Sequence, residues 1–96
     1  MKVDKIKIII DENLKFLRDA YGVKKLGVFG SVSRGENLEA SDIDLLVEFS
    51  RPIGLFKFIE LEDYLSKILG QKVDLVTKNA LKPAIKDDVL KEVVYV

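Results

Sequence analysis

The sequence predicts an α/β (α+β) fold, a small three-stranded mixed sheet with helices packed on it. Two observations lead there. Helically spaced apolar residues alternate with short apolar runs, in the order helix, strand, strand, helix, strand, helix. No internal repeat, low-complexity tract or linker interrupts that alternation. A chain of 96 residues also suits one compact unit with a modest core, so residues 1–96 are expected to form a single domain.

In residues 4–21, Ile6, Ile10, Leu14, Leu17 and Tyr21 recur at helical spacing with charges between them, and Gly22 suits a C-terminal cap. Residues 24–29 read as a short strand that runs into Gly30-Ser31. The polar stretch 33–41, holding Gly35 and Asn37, reads as loop with room for a helical turn. Residues 42–49 form a second strand, apolar at Ile43, Leu45, Leu46 and Val47, and Ser50-Arg51-Pro52 breaks it. Residues 53–69 give a second helix with Phe58, Leu61, Leu65 and Ile68 on one face, capped by Gly70. Residues 72–77 read as a third strand. After Pro83 a last helix is expected to run to about residue 94, with Ile85, Val89 and Val93 inward.

Composition narrows the chemistry. Hydrophobic residues make up 48% and charged residues 33%, a mixture that folds. Sixteen basic residues balance sixteen acidic ones, so no general affinity for nucleic acid or anionic membranes is expected. Cysteine and histidine are absent, which excludes a disulfide, a thiolate nucleophile, a zinc site and an imidazole base. A metal would be held by oxygen, pointing to magnesium, manganese or calcium. A general base would be a carboxylate, a lysine or a tyrosine. With no apolar run of about 20 residues and no signal-peptide core in the charged start, a cytoplasmic protein is expected.

Asp42 and Asp44 stand two apart on one predicted strand, so their side chains share a face while Ile43 takes the other. Asp74 sits on the third strand between Val73 and Leu75. If the two strands are neighbours, three carboxylates meet, and their mutual repulsion calls for a divalent cation. The bland alternative is a turn cap, a solvent-facing strand residue and an edge residue. Aspartate is disfavoured in strands, which weighs against it. Gly30-Ser31 at a strand end can offer backbone N–H groups and a hydroxyl to a phosphate, or be an ordinary turn. Arg34 can fork onto phosphate oxygens, or be a solvated loop charge. Gly-Ser followed after ten residues by Asp-x-Asp arises by chance in about one chain in a thousand of this length.

Together, Gly30-Ser31-Val32-Ser33-Arg34-Gly35, Ser41-Asp42-Ile43-Asp44-Leu45-Leu46-Val47 and Val73-Asp74-Leu75-Val76 resemble the polymerase β-like nucleotidyltransferase superfamily, and most of all its minimal, single-domain MNT branch. The resemblance runs from about residue 26 to residue 96. It implies that Gly30 and Ser31 hold a nucleoside triphosphate, Arg34 staying a candidate phosphate ligand beside them, and that Asp42 and Asp44 bind two magnesium ions. It also implies that Asp74 binds the metal near the acceptor and takes its hydroxyl proton. MNT proteins are typically paired with an HEPN-domain toxin. The resemblance therefore implies an antitoxin that moves AMP from ATP to a tyrosine of such a partner. Two other readings stay open: an antitoxin that neutralises by binding alone, and a nucleotidyltransferase acting on a small molecule or an RNA end. Phe56, Ile59 and the apolar end 93–96 are either covered by the domain's own helices or form an interface.

Overall fold

The computed structural model describes residues 2–30 and 42–96. Helix α1 (Val3–Tyr21) is followed by strand β1 (Val23–Phe29), strand β2 (Ile43–Phe49), helix α2 (Leu55–Leu69), strand β3 (Val73–Thr77), a 3₁₀ turn (Lys78–Ala80), helix α3 (Pro83–Glu92) and strand β4 (Val94–Tyr95). The sheet order is β3-β2-β1-β4. β2 runs antiparallel to β1 and parallel to β3, and β4 pairs antiparallel with β1.

The expected three-stranded sheet therefore carries a fourth strand, and the last helix stops short of its expected end. Val93 caps α3 in an extended conformation. The next two residues then enter the ladder, Val94 opposite Val28 and Tyr95 opposite Gly27, and Val96 donates to the Leu26 carbonyl at 2.9 Å. The β-branched run Val93-Val94 suits a strand better than a helix end.

α1 and α2 cover one sheet face. Ile6, Ile10, Leu17 and Tyr21 of α1 and Leu61, Leu65 and Leu69 of α2 pack against Val28, Ile43, Leu45, Val47, Val73 and Leu75. Each fully buried aliphatic side chain contributes about 1.5–3 kcal/mol. Both helices end, as their patterns imply, on glycines in the left-handed conformation, Gly22 and Gly70. The α2 stripe is Leu61-Leu65-Leu69, with Phe58 and Ile68 on its flanks. Polar contacts tie the two helices together: Tyr64 donates to Asn13 at 2.7 Å and Tyr21 to Glu60 at 3.1 Å.

On the opposite face α3 makes a second, smaller cluster of Leu46, Leu81 and Val89, joined by Phe29, Val76, Leu90 and Val93. Ile85, expected inward, is 48% exposed, because α3 is ten residues long and its buried contact is made at Val89.

α2 also fixes the edge strand. The Val73 N–H donates to Ser66 Oγ at 3.0 Å and the Leu75 N–H to Glu62 Oε2 at 2.9 Å. Among the described residues no strand lies beside those backbone groups, since β3 ends the sheet. Side chains of α2 satisfy them instead, which locks β3 in register beside β2.

Candidate active site

The face that carries the site follows from strand parity. Ile43, Leu45 and Val47 point into the main core, so the residues between them point to the α3 side, where Leu46 packs with Val89. Asp44 shares that side with Leu46. Across the sheet, Asp44 pairs with Phe29 of β1 and with Asp74 of β3. Phe29, Asp44 and Asp74 thus form one row on three adjacent strands. Neighbouring strands lie about 4.8 Å apart, which brings the two carboxylates side by side. Asp74 is exposed and Asp44 half-buried.

Asp42 immediately precedes β2. The Ile43 N–H donates to the Lys72 carbonyl at 2.9 Å, and Lys72 Nζ lies 3.8 Å from Asp42 Oδ2. An ammonium thus partly balances this acidic end of the sheet, although both side chains are well exposed and such a pair is worth little. The strand register pairs Asp44 with Asp74 at one end of β2 and β3, with Asp42 just before β2. Among the described residues, however, no three acidic side chains are gathered tightly enough to hold a metal ion unaided.

Gly30 closes β1 with φ +78°. Only glycine enters that region without strain. A second reason is steric. A Cβ built on Gly30 would run into Asp44 Oδ2 and come within 3.3 Å of its Cγ. The turn backbone therefore lies directly against the carboxylate. Close approach of a strand-end turn to an acidic group is what a site needs if it must hold a phosphate and a cation together.

Glu92, at the end of α3, meets this turn, a contact that sequence reasoning missed. Its Oε1 accepts the Gly30 N–H at 3.0 Å. A shallow pocket of about 620 Å³ opens beside this turn, lined by Phe29, Ile85 and Val89 among others. Ser31 and Arg34, also expected at the site, lie outside the described residues.

The donor chemistry fits a hard divalent cation. Asp42, Asp44 and Asp74 offer only oxygen, and the chain has no imidazole or thiol to offer instead.

Comparison with known proteins identifies the family. A family model of the nucleotidyltransferase domain matches residues 10–96. The chain is 50% identical over 96 residues to protein adenylyltransferase MntA of Thermococcus cleftensis, covering 100% of this chain and 97% of that protein. Among solved structures, one provisionally described as a minimal nucleotidyltransferase superposes with a TM-score of 0.80 at 34% identity, covering 98% of this chain and 95% of the other. Another, a toxin–antitoxin complex with AMP-PNP, superposes with a TM-score of 0.71 at 27% identity, covering 88% and 69%.

Proposed function

This chain belongs to the nucleotidyltransferase domain family and is a nucleotidyltransferase, and from that premise we propose that it is a minimal single-domain protein adenylyltransferase. In this reading it moves AMP from ATP to a tyrosine hydroxyl of an HEPN-domain toxin and so acts as its antitoxin. The observation that carries the reading is the in-register pair Asp44 and Asp74, with the Gly30 turn pressed against Asp44. The likeness to MntA supports a protein acceptor, and the likeness to a toxin–antitoxin complex with AMP-PNP supports an adenine nucleotide and a toxin partner. The cytoplasm, where ATP is plentiful, is the compartment this reading implies.

The roles follow from position. Asp42, Asp44 and Asp74 would supply carboxylate oxygens to magnesium, two ions in this reading. Bound there, magnesium would neutralise the triphosphate and the charge that grows on the departing pyrophosphate. Gly30, which has no side chain to intrude, lets the strand-end backbone approach the phosphates, with Ser31 and Arg34 as further phosphate ligands. The acceptor oxygen bonds to the α-phosphorus, the bond to the pyrophosphate oxygen breaks, and the acceptor proton passes to Asp74. Asp74 suits that task because it is exposed on the outermost strand, open to a docking protein.

The test is incubation with the HEPN partner, magnesium, and ATP labelled at either the α- or the γ-phosphate. Transfer to the partner's tyrosine of the α-label but not the γ-label is expected. Tight binding without label, unchanged by Asp42→Asn/Asp44→Asn, would instead mean neutralisation by binding alone. Label appearing only on a small molecule or an RNA end would replace the acceptor.

A further inference from the structure

We propose that Glu92 is a positioning residue of the transfer site, its carboxylate holding the Gly30 turn in place against Asp44. The inference rests on the functional reading above. Its geometry is independent of that reading. Glu92 Oε1 accepts the Gly30 N–H at 3.0 Å across 62 residues of chain, a charge-assisted bond of the stronger kind.

The carboxylate is itself well anchored. One residue beyond it, Val93 donates its N–H to the Val89 carbonyl at 3.0 Å and packs into the small cluster beneath α3. The side chain of Val93 lies over Gly27, where an added Cβ would strike Val93 Cγ2. Two residues beyond Glu92, Val94 enters the ladder opposite Val28. The chain is thus pinned to β1 by the two residues that directly follow Glu92. Gly30 in turn lies against Asp44, so a displacement of the turn is passed directly to a carboxylate that the reaction uses.

A competing arrangement has the opposite sign. If the Gly30 N–H is a donor that the triphosphate needs, Glu92 is an anion occupying the phosphate's place, and neutralising it would tighten ATP binding. Two variants separate these cases. Glu92→Gln keeps an acceptor oxygen of the same reach, whereas Glu92→Ala removes it. Glu92→Asp, shorter by one methylene, replaces the alanine variant should that one not fold.

Three readouts apply: kcat and KM for ATP in the partner-labelling assay, the thermal midpoint, and the Gly30 amide resonance of the nucleotide-free protein. Glu92→Ala is expected to lower kcat/KM about ten- to a hundredfold, mostly through kcat, while remaining folded at the assay temperature. Its Gly30 amide proton should move upfield and exchange faster. Glu92→Gln should recover most of the rate and of the amide shift. Wild-type turnover in Glu92→Ala, tighter ATP binding in either neutral variant, or an unmoved Gly30 amide would overturn the proposal. A wild-type protein that labels no acceptor would overturn the functional reading instead, and the amide resonance would then decide the Glu92–Gly30 contact alone.

Discussion

Substituting Gly30 with alanine tests the turn and its contact with Asp44 together. Alanine at φ +78° costs about 1–2 kcal/mol for the left-handed backbone. Its Cβ also meets Asp44 Oδ2, and turning that carboxylate off its rotamer adds about 0.5–1.5 kcal/mol. Alanine restricts the unfolded chain and returns about 0.4–1 kcal/mol. The net loss is about 0.5–3 kcal/mol, or roughly 2–20 °C in melting temperature for a domain of this size. A double-mutant cycle separates the two costs. In an Asp44→Ala background the steric part disappears and the backbone part stays, so the coupling should be about 0.5–1.5 kcal/mol. The assay is urea denaturation of the wild type, both single variants and the double variant. Equal cost of Gly30→Ala in both backgrounds would refute the contact with Asp44. A neutral Gly30→Ala would refute the left-handed turn itself.

Asp44→Asn and Asp74→Asn should each abolish transfer. Because the two carboxylates are in register, either change relieves like-charge repulsion. Unfolding free energy at low salt should hold or rise by a few tenths of a kcal/mol, and magnesium should no longer raise it. Leu65→Ala removes a fully buried side chain remote from the acidic row. It should cost about 2–5 kcal/mol in denaturation and leave the activity per folded molecule unchanged. Tyr21 has its phenol pKa raised, by burial first and then by its hydrogen bond to Glu60 and that group's charge. A raised folded-state pKa means stability is full below pH 10 and is lost as pH climbs through the folded value. Thermal midpoints from pH 10 upward should therefore fall, and Tyr21→Phe should flatten that slope.

Much of this was legible because it is local. The helices announce themselves by spacing, and Gly22 and Gly70 end them where their patterns say. Strand parity alone puts Asp44 opposite Ile43, and the register of β2 with β3 then aligns Asp44 with Asp74. What escaped depends on contacts distant in sequence. β4 is two residues long and exists only because β1 offers it an edge. Nothing local marks Glu92 as the acceptor for an N–H 62 residues earlier. The exposure of Ile85 reflects how little of α3 touches the sheet, which its spacing could not convey. Phe56, 86% exposed, and Ile59, 50% exposed, lie uncovered on α2. Among the described residues no helix buries them, which their spacing along α2 could not decide.

The central claim is that Asp42, Asp44 and Asp74 act together on one divalent ion or ion pair. The most direct measurement follows the carboxyl carbon resonances of every aspartate during a magnesium titration, with a non-hydrolysable ATP analogue bound. Resonances of Asp42, Asp44 and Asp74 should shift together and saturate at one magnesium concentration, while those of Asp4, Asp11, Asp19, Asp63, Asp87 and Asp88 stay in place. An Asp74 resonance that does not move while Asp44 responds, or a uniform drift of all nine, would contradict the account.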